Sequence, residues 1–139
     1  MANTMLKFKM VTPVQTVFEQ EVEQVIVTTE AGQITVLPDH SKLVSILQPG
    51  EMIVRENGQD TPMAVLGGFL EVSENQLVIL ADAAELPSDI DVTAAEQRAA
   101  DLAKELESQE HMEVKTYTLL QKQLLAEQAR IFVANKWRK

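Results

Sequence analysis

The stretch Glu56–Leu80, ENGQDTPMAVLGGFLEVSENQLVIL, decides how the first half of the chain is read. Asn57 and Gly58 both tolerate the positive φ of a type I′ turn, so they mark a hairpin. Beyond them lie the apolar runs Met63–Leu66, Phe69–Val72 and Leu77–Leu80, separated by Gly67-Gly68 and Glu74-Asn75. Runs this short, bounded by Gly, Pro and Asn, are strands rather than helix. A glycine pair inside a strand pattern predicts a bulge or a close approach of two backbones.

Working outward, Phe8 and Met10, Val25 and Val27, and Ile34 and Val36 recur at the two-residue spacing of half-buried strands, and Met52-Ile53-Val54 follows Pro49-Gly50. Many short strands at regular spacing predict an antiparallel sandwich or barrel. After Leu86-Pro87-Ser88 the alternation stops, glycine disappears, and Ala, Leu, Glu, Gln and Lys dominate to the end. These are strong helix formers.

The first helix is expected to start near Asp91 or Thr93, either able to cap free N–H groups, with Glu96 completing a capping box on Thr93. Ala95, Ala99, Leu102 and Leu106 form its apolar stripe. A stripe so rich in Ala buries little area, so its docking face is expected to be weak. Ser108 to Met112, including His111, reads as a turn. The second helix, from about Glu113 to Lys136, places Val114, Tyr117, Leu120, Leu124, Leu125, Ile131 and Phe132 on one broad face, expected to pack on the first helix. A thinner line, Leu119, Ala126, Val133 and Trp137, lies on the other side between Lys122, Arg130, Lys136 and Arg138. A simple hairpin does not require that second line, which is either a scatter of surface apolar residues that needs no explanation or the mark of a second partner.

Composition narrows the chemistry. The 139 residues include no cysteine, so disulfides and thiolate chemistry drop out. The formal net charge of -9 argues against nucleic-acid binding. The charge is uneven, since Val114 to Lys139 carries six basic residues and one acidic. No run approaches the ~20 apolar residues of a membrane span, and the first residues lack the pattern of a signal peptide, so neither membrane insertion nor processing is expected.

Leu37-Pro38-Asp39-His40-Ser41 sets three triad residue types side by side. A working triad needs the Ser and the Asp on opposite nitrogens of the imidazole, which neighbours on one extended chain cannot readily supply. A turn explains more: Pro38 fixes φ, and Asp39 and Ser41 can bond to nearby backbone N–H groups. Two distant histidines give no metal spacing, and no phosphate loop is present. No catalytic residue and no metal site are expected.

The order of motifs resembles the epsilon subunit of bacterial and chloroplast F-type ATP synthases. The residues that carry the resemblance are Val11-Thr12-Pro13, Gly32 through His40, Leu47-Gln48-Pro49-Gly50, Gly67 through Val72, Leu80 through Glu85 and Asp89-Ile90-Asp91. It implies a β + α fold: an N-terminal flattened antiparallel β-sandwich of about ten strands, then a C-terminal two-helix antiparallel hairpin. Residues 1–86 would be the rotor-binding domain and 87–139 the regulatory hairpin. The implied function is that of a non-catalytic central-stalk rotor subunit that couples c-ring rotation to the γ subunit and restrains ATP hydrolysis through its helices. The implied partners are the γ subunit, the polar loops of the c-ring and the α and β subunits of the catalytic head. The implied location is peripheral, on the cytoplasmic face of the bacterial plasma membrane or the stromal face of the thylakoid.

Carried onto this chain, the resemblance puts Gln33, Asp39, His40 and Ser41 against the c-ring and γ. It puts Leu119, Lys122, Arg130, Val133, Lys136, Trp137 and Arg138 against β and γ when the hairpin extends. Many bacterial members have Glu-Ile-Gly-Ile-Leu-Pro-Gly-His where this chain has Gln33 through His40, so Gln33 replaces an acid and Asp39 a glycine. Some members bind ATP on the folded hairpin, which here would involve Glu85, Ile90, Asp91 and Arg98. Ala94 stands at the position of that motif's Arg, and no cofactor is expected. The rival readings are a free-standing β-sandwich that binds a small ligand or nucleotide under a helical lid, and a small hydrolase centred on His40.

Overall fold

The computed structural model describes residues 2–108 and 112–138. Ten strands come first: β1 (Leu6–Val11), β2 (Thr16–Val22), β3 (Gln24–Thr29), β4 (Gly32–Val36), β5 (Leu43–Leu47), β6 (Gly50–Glu56), β7 (Gln59–Val65), β8 (Gly68–Ser73), β9 (Gln76–Ala81) and β10 (Ala84–Glu85). A single 3-10 turn, Pro87–Asp89, leads into α1 (Val92–Ser108) and α2 (Val114–Trp137). Of the turn expected at Ser108 to Met112, Ser108 instead ends α1, and 109–111, with His111, lie outside the described residues.

The strands form one hydrogen-bonded sheet in the order β10-β7-β6-β3-β5-β8-β9-β1-β2, with β4 paired to β3 alone. Between β3 and β5 the only pairing is Thr29 with Leu47, and there the sheet folds over into two leaves. The core between the leaves includes Leu6, Phe8, Met10, Val25, Val27, Val36, Met52, Leu70 and Ile79. The antiparallel sandwich read from the spacing is thus present, with one exception: β1 runs parallel to β9, Lys7 opposite Gln76. The long connection from β1 round to β9 makes that pairing possible.

Local chemistry sets the turns. Asn57 (φ 53°) and Gly58 (φ 74°) close the β6–β7 hairpin at Glu56 opposite Gln59, as the type I′ reading requires. Glu74 (φ 50°) and Asn75 (φ 61°) make the same two-residue turn between β8 and β9 without any glycine. Gly67-Gly68 is the predicted close approach: a Cβ on Gly68 would stand 2.0 Å from the carbonyl oxygen of Leu80. Pro62 is tolerated in β7 because β10 pairs only with Ala64 and Val65, leaving the edge beside Pro62 free.

At the start of α1 the cap is Asp91, whose Oδ1 accepts the N–H of Ala94 at 3.0 Å, so the alternative box on Thr93 and Glu96 is not used. Ala95, Ala99, Leu102 and Leu106 do form the inner face of α1, fully or half buried against α2. Two expectations about the helices are corrected. Of the broad face of α2 only Leu120 is buried, while Val114, Tyr117, Leu125 and Phe132 are exposed. Ala126, Val133 and Trp137 of the thinner line, joined by Ala129 and Ala134, do the docking: they pack with Ala64, Leu66, Ala83, Ile90 and Val92 in a second, small core, while Leu119 is exposed. The weak docking face therefore belongs to α2, whereas α1 packs chiefly on α2. Small side chains suit α2 to this place, because they let the helix backbone come close to the sheet.

Candidate functional site

The surface where α2 meets the sandwich gathers Glu85, Ile90, Arg130, Val133, Lys136, Trp137 and Arg138 from the residues singled out in the sequence, and two of the carboxylates that build it, Glu51 and Glu127, escaped the sequence reading. Glu51, near the start of β6, points away from the sandwich core yet is only 7% exposed, because α2 covers it. Its Oε1 accepts the ammonium of Lys136 at 3.0 Å and its Oε2 accepts the indole N–H of Trp137 at 2.6 Å. Nearer the middle of α2, Arg130 bridges two acids: Nε meets Glu85 Oε1 at 2.7 Å and Nη1 meets Glu127 Oε2 at 2.6 Å. Glu127, also buried, faces Arg98 of α1 through its other oxygen, 3.0 Å from Nε. That oxygen makes no well-directed hydrogen bond, so the contact is a Coulombic one.

The chain Glu85–Arg130–Glu127–Arg98 therefore ties sandwich, α2 and α1 together. Burial alone would pull the Arg130 pKa down, but the carboxylates of Glu85 and Glu127 outweigh it and push the value up. At the end of the helix, Arg138 donates from Nη1 to the carbonyl of Ile90 at 2.7 Å. Lys136 also lies over the rings of Phe132 and Trp137, at 5.6 and 5.2 Å from their centroids.

Of the seven residues expected to meet outside partners, Arg130, Lys136, Trp137 and Arg138 are thus bonded within the chain, and Val133 is fully buried in the second core. Leu119 is exposed, and Lys122 has no ion-pair partner among the described residues. Of the four positions considered for nucleotide, Glu85 and Arg98 are engaged in ion pairs, Asp91 caps α1, and Ile90 is buried.

The Asp39-His40-Ser41 stretch is a turn. Asp39 takes a left-handed conformation (φ 62°), and the N–H of His40 closes the turn onto the carbonyl of Leu37 at 3.1 Å. The imidazole Nδ1 meets the Ser41 carbonyl at 2.7 Å, while the Asp39 carboxylate bonds to Asn3, so the triad geometry is absent from this stretch. Asp39 was expected to bond to nearby backbone N–H groups; its partner is instead 36 residues away. Gln33 is not brought beside this turn. It stands at the start of β4, the turn follows the end of that strand, and any contact using both would run along the free edge of β4.

A further surface escaped the sequence reading. Val44 and Ile46 of β5, Phe69 of β8 and Leu80 of β9 are exposed on the outer face of one leaf. Ile46, Phe69 and Leu80 are direct cross-strand neighbours, so their side chains form one row. The signal was in the sequence: runs such as Leu43-Val44 and Val78-Ile79-Leu80 are apolar on both parities, whereas a strand with one solvated face alternates.

Residues 5–87 match the family model described as ATP synthase, Delta/Epsilon chain, beta-sandwich domain. The ATP synthase epsilon chain of Chloroflexus aggregans is 38% identical over 96 residues, covering 69% of each chain. The chloroplastic ATP synthase epsilon chain of Chaetosphaeridium globosum is 41% identical over 100 residues, covering 72% of this chain and 73% of its own. Among solved structures, a chain of the Euglena gracilis mitochondrial ATP synthase shares the fold, helices included, with a TM-score of 0.79 over 98% of this chain and 82% of its own at 17% identity. The matched sandwich and these epsilon-chain relatives together mean that this chain belongs to the ATP synthase delta/epsilon chain family.

Proposed function

We propose that the chain is a non-catalytic central-stalk subunit of an F-type ATP synthase, in which the sandwich joins the c-ring to the γ subunit and the helical hairpin restrains ATP hydrolysis. One observation carries the regulatory half of this reading. The basic and aromatic residues of α2 suited to an acidic partner are held by Glu51 and Glu85 of the sandwich, across a core of mostly small side chains. Such a hairpin can leave the sandwich without exposing a large apolar area. Once released, the same cations are free for acidic surfaces of the catalytic head.

The sandwich would be the coupling part. The row Ile46, Phe69 and Leu80 with Val44 is a contiguous apolar surface suited to the γ subunit. The free edge of β4 and its flanking turns would face the polar loops of the c-ring. The association with the membrane would be peripheral, through the c-ring, on the cytoplasmic face of a bacterial plasma membrane or the stromal face of a thylakoid; no described helix is long and apolar enough to cross a membrane.

Removing the chain from Val114 onward, in the assembled enzyme, is expected to raise ATP hydrolysis severalfold while leaving the sandwich in place. Unchanged hydrolysis would remove the inhibitory role. Phe69→Glu tests the other surface. The ring is half exposed, so the variant should fold, but a charge in the centre of the patch should abolish co-purification with γ. Retention of γ at wild-type stoichiometry would move that contact elsewhere.

A further inference from the structure

The turn at Leu37–Ser41 is held from outside in an unusual way. Both oxygens of Asp39 are occupied by one residue: Asn3 donates its backbone N–H to Oδ2 at 2.7 Å and its side-chain Nδ2 to Oδ1 at 2.6 Å. The N–H of Asp39 itself donates to Oδ1 of Asn75 at 2.9 Å. Asn75 sits in the β8–β9 turn, and its Nδ2 donates back to the Met5 carbonyl at 2.9 Å. Its own carbonyl accepts the N–H of Lys7 at 3.1 Å. Three segments far apart in sequence, before β1, after β4 and between β8 and β9, are thereby laced together at one end of the sandwich.

Every amide and carboxylate in this lattice is exposed or half buried, so packing does not fix the turn. Without the lattice, a left-handed aspartate between Pro38 and His40 would sample other conformations. Asp39 supplies a carboxylate where a glycine would supply only backbone freedom.

We propose that Asn3 and Asn75 are positioning residues that act through Asp39, fixing the turn that bears His40 so that it presents a rigid contact to the rotor ring. This rests on the reading that the turn meets the ring. Torque passed through a floppy turn is absorbed as deformation, whereas a turn tied to two neighbouring segments passes it to the sandwich. The Asn3 side chain and then its backbone N–H hold the Asp39 carboxyl below the usual range, so the lattice stands at neutral pH and loosens as pH falls through that lowered value.

The test uses five variants of the full chain: Asn3→Ala, Asp39→Gly, Asp39→Asn, the Asn3→Ala/Asp39→Gly double and His40→Glu. Amide hydrogen exchange in the full chain is expected to speed up at His40 about tenfold in Asn3→Ala and Asp39→Gly. The double should lose no more than either single, and Asp39→Asn, which keeps an acceptor for Asn3, should retain most of the protection. In the assembled enzyme in sealed vesicles, protons pumped per ATP hydrolysed should fall in the same order, with Asp39→Asn rescued. Unchanged exchange in Asn3→Ala overturns the lattice, and faster exchange with an unchanged pumping ratio overturns its role in coupling. His40→Glu, with the lattice intact, separates the two ideas. A lowered pumping ratio there with none in Asn3→Ala defeats the positioning role alone, and no change in any variant defeats the ring contact itself.

Discussion

Gly68→Ala is expected to destabilise the chain by more than about 3 kcal/mol. Two costs coincide at this position. Gly68 has φ 131°, outside the region open to residues with a Cβ. The added Cβ would also lie 2.0 Å from the Leu80 carbonyl oxygen and 2.9 Å from the Ala81 Cα, both backbone atoms that cannot rotate away. Relief would require β8 and β9 to part where Gly68 pairs with Ala81, and Gly68 also pairs with Leu47 of β5. The damage therefore reaches the β5-β8-β9 surface proposed for γ. Gly32→Ala is the control, because φ there is 117° but nothing lies within 4 Å, so only the backbone term acts. Urea unfolding of the two variants should separate them by a wide margin, and equal stabilities would show that the clash at Gly68 is relieved at little cost.

How far the fold was legible follows from what periodicity can report. The inward residues Phe8, Met10, Val25, Val27 and Val36 were readable because a two-residue period reports one buried face. The second core was not, since it depends on which helix covers which leaf. Ala64, on the outer face of β7, and Leu66, just after its end, are buried in a core shared with α2 and with Ile90 of the segment that leads into α1. Met63-Ala64-Val65-Leu66 is apolar at every position, and that run signalled a covered face without naming its cover. Glu51 was silent for the same reason: an acid at an outward strand position reads as solvated unless the docking of a helix 85 residues later is known. On α2, counting apolar residues favoured the broad face, whereas close packing favoured the face with small side chains, and packing won.

The candidate turn divides similarly. Its identity as a turn came from Pro38 and its flanks, and the failure of the triad came from chain geometry. Its anchoring by Asn3 and Asn75 rests on side chains 36 residues away on either side, a distance no local pattern reaches.

Replacing Glu51 by Ala should shift the hairpin from docked towards free by about 10- to 100-fold, and it should do so without unfolding the sandwich. The carboxylate accepts from both Lys136 and Trp137, and these are charge-assisted bonds at a site closed to water on the sheet side. Its removal leaves the small core of Val133, Ala129 and Ala134 on Ala64, Leu66 and Ile90 with Arg130 and Arg138 as the remaining ties. The sandwich core lies on the other face of β6, through Met52 and Val54, and is untouched. Trp137 is the only tryptophan, so its emission reports docking directly and should move to longer wavelength in the variant. Glu51→Gln, which keeps one acceptor and loses the charge, should fall between. The sign of the functional effect is the sharper test. If the free hairpin restrains hydrolysis, Glu51→Ala lowers ATP hydrolysis by the assembled enzyme, whereas truncation at Val114 raises it. A red-shifted Trp137 together with raised or unchanged hydrolysis would mean that release from the sandwich is not what places the helices on the catalytic head.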